Sequence, residues 1–157
     1  TLERVKEAVF SSVQFIIPGA LVLDLFAGSG QMGLEALSRG AASCTFVDEN
    51  RAAAEVVAAN CRSTGLFEKS RVVCMEAGAF LAQSRQKFDI ILLDPPYNKS
   101  ILPHILPGVE RIAAPGAVVV CESEPGLQLS PQVGGLVLQK QYRYGTVMVT
   151  RYTMQPA

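Results

Sequence analysis

Short apolar runs, separated by segments with helical spacing, leave this chain few folds to choose from. Residues 21–25, 44–47, 71–75, 88–93 and 117–121 are each of strand length and rich in Val, Ile, Leu or Phe. Runs of this kind are buried on both faces, as the strands of a parallel sheet are. The stretches between them, 31–39, 50–64, 78–86 and 101–113, read as helices, the first two closed by Gly40 and Gly65. Pro103 and Pro107 precede or interrupt the last of them. Ahead of all this, 2–15 places Val5, Val9, Phe10 and Val13 on one stripe and stops before Pro18-Gly19, the pattern of an amphipathic opening helix. Alternating β and α units predict a doubly wound α/β fold.

The rhythm changes after Gly126. Residues 136–142 and 146–152 are β-rich and flank Arg143-Tyr144-Gly145, a hairpin signal. The expectation is one mainly parallel, seven-stranded sheet with an antiparallel C-terminal hairpin. The whole of 1–157 then forms a single domain, with the opening helix in 1–15 and the hairpin in 136–152. The start at Thr1, without Met, implies residues upstream that lie outside this sequence.

Composition narrows the class of partner. A hydrophobic fraction of 49% and a charged fraction of 18% describe a packed globule. The formal net charge of zero argues against a broad nucleic-acid footprint and leaves room for a local basic rim. No apolar stretch reaches the roughly 18 residues a membrane helix needs. Cys44, Cys61, Cys74 and Cys121 lack metal-ligand spacing and are expected to be reduced core residues of a cytoplasmic protein. His104, the single histidine, has no ligand cluster around it, so no metal is expected.

The run 88–93 ends in Asp94-Pro95-Pro96-Tyr97, where an open α/β sheet forms its ligand crevice. Two prolines in succession fix φ twice and remove two backbone donors. What remains is a set of acceptors beside an aromatic ring. Asp94 and the Pro95 carbonyl can accept the two N–H bonds of a planar amino group, and Tyr97 can stack on its face.

The first strand runs into Asp24-Leu25-Phe26-Ala27-Gly28-Ser29-Gly30. Gly28 and Gly30 allow a tight turn and a close ligand approach. With Gly33 they satisfy GxGxxG, which by itself suggests a dinucleotide. Asp48, with Glu49 beside it, ends the second strand and suits the hydroxyls of a ribose, in NAD or in S-adenosylmethionine alike. Asp24 separates the two cofactors. An acid just before the glycine loop repels a pyrophosphate and attracts an ammonium, which S-adenosylmethionine carries. Glu76-Ala77, after the third strand, sits where an adenine ring is contacted or where a helix is entered.

Taken together, Asp24 through Gly30, Asp48, Glu76-Ala77 and Asp94 through Tyr97 resemble the Rossmann-like class I S-adenosylmethionine-dependent methyltransferases, in the branch that methylates amino or amide nitrogens. The opening Thr1-Leu-Glu-Arg4-Val-Lys-Glu7-Ala-Val-Phe10 and Gly33-Leu-Glu-Ala-Leu-Ser-Arg39 resemble the RsmD-like family, and the likeness runs through the Tyr144-Gly145 hairpin. Glu3 stands where that family usually has Asp, and Ser11 where Asn is common. The family also usually carries a basic segment ending in Arg-Pro ahead of the position of Thr1. The resemblance implies methyl transfer to N2 of a guanine in small-subunit ribosomal RNA, within an assembling subunit or as free RNA, by a monomer. It implies Asp94, Pro95, Pro96 and Tyr97 at the reacting centre. The cofactor set is Asp24, Phe26, Ala27, Gly28, Gly30, Asp48, Glu49, Glu76, Ala77 and Asp94.

RNA contact falls to Arg4, Lys6, Lys99, Arg143 and Tyr144, with Lys140, Arg151, Tyr142 and Tyr152 interleaved in the hairpin. A solvated edge hairpin shielded by basic residues has the same appearance. Glu122, at the end of the fifth strand, reads as a cap or an edge charge. Competing readings are adenine-N6 or glutamine-amide methylation, an NAD-binding oxidoreductase, and an RNA-binding protein that keeps the fold without turnover.

Overall fold

The computed structural model describes residues 3–97 and 100–157. Helix α1 spans Glu3–Val13 and buries the predicted stripe of Val5, Val9, Phe10 and Val13. Then come β1 (Leu21–Leu25), α2 (Gln31–Ser38), β2 (Ser43–Asp48), α3 (Arg51–Ser63), β3 (Ser70–Cys74), α4 (Ala77–Gln83), β4 (Phe88–Leu93), α5 (Ile101–Arg111) and β5 (Ala113–Ser123). The chain ends in β6 (Gln132–Val133), β7 (Leu136–Tyr144) and β8 (Val147–Met154). Pro107 sits inside α5 without ending it. Its missing donor would have met the carbonyl of Pro103, one turn earlier.

All eight strands form one sheet in the order β3-β2-β1-β4-β5-β8-β7-β6. The first five are parallel; β8, β7 and β6 are antiparallel additions. The expected seventh strand is therefore followed by an eighth, the two-residue β6, too short to leave a periodic signal. Strand β5 also starts earlier than predicted. Its pairing with β4 jumps from Phe88–Ala113 to Ile90–Val118, with Pro115 and the left-handed Gly116 (φ 78°) in the irregular stretch. The hairpin turn is Gly145-Thr146, shorter than the sequence suggested, because Arg143 and Tyr144 still pair with β8.

Alternation along the strands builds two cores. Val22, Phe46, Ile90, Leu92, Val118 and Val120 pack with α1, α2 and α3 on one face. Leu23, Leu25, Ile91, Leu93, Val119 and Tyr152 pack with α4 and α5 on the other. Burying such large side chains, each worth about 1.5–3 kcal/mol, fixes which way every strand faces. A seam joins α1 to α2: Lys6 Nζ lies 3.1 Å and Arg39 Nε 2.9 Å from the Glu35 carboxylate, and Arg39 stacks 5.0 Å over the Phe10 ring. Cys44, Cys61 and Cys121 are buried and free. Cys74 departs from expectation: it is exposed at the last residue of β3, an edge strand.

Candidate active site

Strand order reverses between β1 and β4, and an α/β sheet binds its ligand at that point, outside the carboxyl ends of its strands. A cavity of about 680 Å³ opens there, with a smaller one of about 280 Å³ beside it. Phe26 and Asp94 line both. The larger holds Asp48, Glu49, Glu76 and Ala77 on one wall and Pro95, Pro96 and Tyr97 on another. The smaller holds Asp24, Ala27 and Gly28.

The glycine loop is wired to backbone amides. Gly28 N–H donates to Asp48 Oδ2 and Asn50 N–H to Asp48 Oδ1, each at 2.9 Å. Gly33 N–H donates to Asp24 Oδ2 at 3.0 Å. Asn60, from α3, donates its amide to the Ser29 carbonyl at 2.9 Å, and Gly30 N–H closes the turn on Ala27 O at 2.8 Å. Gly30 lines neither cavity; its left-handed φ of 84° shapes the turn. Phe26 adopts φ 67°, a conformation non-glycine residues avoid. Gly33 serves packing instead. A Cβ there would lie 2.4 Å from Phe46 Cε1 and 2.7 Å from Cys44 Sγ.

On the same wall as Asp48, Glu76 caps α4, accepting from Gly78 N–H and Ala79 N–H at 2.9 Å each. The helix-entry reading of this residue is thus realised while it also faces the cavity. Asn50, the N-cap of α3, and Val47, Met75, Ile101 and Ile105 complete the larger cavity. The sequence reading left these out. Asn50 carried a signal in its capping position; the apolar four look like any core residue.

Asp24 is 4% exposed. Burial, reinforced by Asp94 and Glu122, pushes its carboxyl up to about 8. An acid in that state gains from a cation placed beside it. Asp48 uses two of about four acceptor sites on amides and keeps the others for hydroxyls. These acceptors fit S-adenosylmethionine: Asp24 would hold its ammonium, Asp48 its ribose hydroxyls, and Glu76-Ala77 would lie toward its adenine. Burial also pushes the Tyr97 hydroxyl up to about 12, so its ring stays neutral and available for stacking.

The candidate RNA residues separate. Ser123 pairs with Met148, so the Gly145-Thr146 turn lies at the same end of the sheet as the cavity. Arg143 is exposed there, its Nε donating to Gly145 O at 3.0 Å. Tyr144 packs partly on the core, its ring 6.3 Å from that of Tyr142. Arg4 is exposed on α1, while Lys6 is engaged by Glu35. Lys99 lies outside the described residues. Tyr152 of the hairpin does not belong to any RNA surface: it is fully buried, its hydroxyl donating to Ser130 O at 2.7 Å. Arg151 is half-buried, its Nη1 donating to the Ser12 carbonyl of α1. Among the described residues no group of His, Cys, Asp and Glu could hold a metal, and no helix is long and apolar enough to cross a membrane.

A family model described as "Conserved hypothetical protein 95" matches residues 1–153. YlbH of Bacillus subtilis, provisionally named an rRNA methyltransferase, is 34% identical over 157 residues, covering 97% of this chain and 85% of that protein. Ribosomal RNA small subunit methyltransferase D of Escherichia coli is 37% identical over 126 residues, 79% of this chain and 63% of that protein. The structure of the Escherichia coli protein yhhF, provisionally called a methyltransferase, superposes with a TM-score of 0.88 at 31% identity, covering 99% of this chain and 86% of that one. The chain that carries this switch-point cavity, the acid before the glycine loop and the Asp-Pro-Pro-Tyr wall thus belongs to the Conserved hypothetical protein 95 family, the RsmD-like methyltransferases that use S-adenosylmethionine.

Proposed function

We propose that this protein methylates the exocyclic N2 of a guanine in small-subunit ribosomal RNA, acting in the cytoplasm as a monomer on the RNA or on an assembling subunit. The observation that carries the reading is the placement of Asp94, Pro95, Pro96 and Tyr97 on the wall facing the cofactor residues. The cofactor supplies an electrophilic methyl group on a positively charged sulfur. The protein has to supply direction. An aromatic amine is a poor nucleophile because its lone pair is delocalised into the ring. Hydrogen bonds from its two N–H groups to Asp94 and the Pro95 carbonyl favour a pyramidal nitrogen and aim the lone pair into the cavity. Orientation of this kind is worth on the order of 7 kcal/mol or more in ideal cases. Tyr97 clamps the base, which has to be unpaired or drawn from its stack. Arg143 and Arg4 serve as phosphate contacts around the opening, with Tyr144 as a stacking surface.

The test uses methyl-labelled S-adenosylmethionine with small-subunit RNA, free and as assembled particles, followed by digestion to nucleosides. Label in N2-methylguanosine supports the proposal. Label in N6-methyladenosine, or transfer only to a glutamine amide, replaces it. The glutamine outcome has a specific motive, since release factor glutamine methyltransferase of Xylella fastidiosa matches 99 residues at 33% identity.

A further inference from the structure

Beside Asp94 stands an acid that neither the glycine loop nor the base wall uses. Glu122 is the penultimate residue of β5 and is 5% exposed. Alternation fixes its direction. Val118 and Val120 face α1, α2 and α3, and Glu122 is the next residue of that face. In β4 the same face carries Ile90 and Leu92, and the next residue is Asp94. In β1 it carries Val22, and the next is Asp24. Register pairs Leu92 with Val120 and Leu93 with Cys121, so the following rung sets Asp94 beside Glu122. Three carboxylates therefore crowd the ends of three neighbouring strands, two of them buried. The fields of Asp94 and Glu122 both reach Asp24, and that of Glu122 also reaches Tyr97. No hydrogen bond from a described residue offsets the burial of Glu122, and burial first, then Asp94, pushes its carboxyl up to about 7.

A buried acid in this position costs stability. Val149 of β8, the residue opposite, would accept an apolar neighbour. We infer that Glu122 is a positioning residue for methyl transfer, its negative charge favouring passage of the amine proton onto Asp94. The inference rests on the proposed amine methylation. In that step the nitrogen lone pair forms the N–C bond while the C–S bond breaks and leaves its electron pair on sulfur. Nitrogen then carries one proton too many, and that proton passes to an Asp94 carboxylate oxygen. A second negative charge beside it makes the proton more welcome there.

The experiment compares wild type, Glu122→Gln and Glu122→Asp for kcat, KM for each substrate, calorimetric affinity for S-adenosylmethionine, and melting temperature. Glu122→Gln is expected to lower kcat about tenfold or more, to keep cofactor affinity within about twofold, and to melt no lower than wild type. The acidic limb of its kcat profile moves to lower pH. Glu122→Asp keeps the charge and retains most of the turnover. A folded Glu122→Gln with wild-type kcat overturns the inference. So does a loss confined to cofactor affinity, or a Glu122→Asp as slow as Glu122→Gln, since either makes the residue a matter of space. If the wild type methylates no RNA amine, the proposed function falls and this inference with it. An active wild type with an indifferent Glu122→Gln sinks the inference alone.

Discussion

The two walls of the cavity are built on different physics. On the cofactor side Asp48 and Glu76 each hold two backbone amides and Asp24 holds one, five of their six oxygens accepting one bond apiece. Those bonds fix the loops before any ligand arrives. On the base side Asp94 and Glu122 stand next to each other at neighbouring strand ends, and Asp24 feels both. The first wall is a preset shape. The second is a store of unfavourable charge, relieved when a cation enters. Shape can be lost piecemeal; charge acts on the reaction itself.

The largest expected effect separates these walls directly. Asp94→Asn should lower turnover by about 10²- to 10⁴-fold while calorimetric cofactor affinity changes only a few-fold. Asp48→Ala should do the reverse, weakening cofactor binding by about tenfold or more through two orphaned amides with little change in kcat at saturation. If both variants lose binding and turnover in equal measure, the distinction is false.

Within the preset wall, two glycines differ in kind. Gly33→Ala forces a Cβ against the buried Phe46 ring, and overpacking of this type costs about 1–3 kcal/mol. Thermal melting should fall by about 2–4 °C per kcal/mol for a domain of this size. Gly28 (φ 59°) has nothing within 4 Å of its Cβ position. Gly28→Ala therefore carries only backbone strain, and its melting loss should be the smaller of the two. A larger loss at Gly28 would reverse the assignment.

The stored charge should appear in the pH dependence of stability. Asp24, raised from 3.8 to about 8, and Glu122, raised from 4.5 to about 7, bind protons more tightly folded than unfolded. Their contribution is fully present below the unfolded values and is lost as pH rises toward 7 and 8. The melting temperature of the ligand-free protein should carry this falling component, flattened in Asp24→Asn. Cofactor binding near pH 7 should release protons, detectable by calorimetry in buffers of different ionisation enthalpy. A variant whose pH profile overlays that of wild type would remove Asp24 from the account.

The smallest effect concerns the rim. Arg143→Glu should reduce the salt slope of RNA binding by about one or two and leave cofactor affinity alone. An unchanged slope removes the hairpin turn from the footprint.

How much of this could be read in advance follows the same division. Strands 21–25 and 88–93 match the structure residue for residue, because a run buried on both faces and bounded by turn residues has little freedom. The loop glycines and the Asp-Pro-Pro-Tyr wall were legible for a similar reason: their backbone requirements are local. Tyr152 was misread because interleaved aromatic and basic residues look alike in a core and on a rim. Only the packing decides, setting Tyr152 with Leu23, Ile91 and Val119 in the core. Cys74 erred the other way, its strand lying at an edge. Glu122 was passed over because an acid at a strand end is ordinary until its neighbours across the sheet are known.

The insertion of β8 between β5 and β7 has a consequence in time. A chain made from its amino end completes the parallel half of the sheet while the outer edge of β5 is still bare. Strands β6 and β7 emerge next, yet neither pairs with β5, and both have to wait for the strand that follows. Bare edges invite pairing with other chains. Of the strands in this sheet, the one made last is thus the one that covers the edge of β5, and Glu122 meets Val149 only when it arrives.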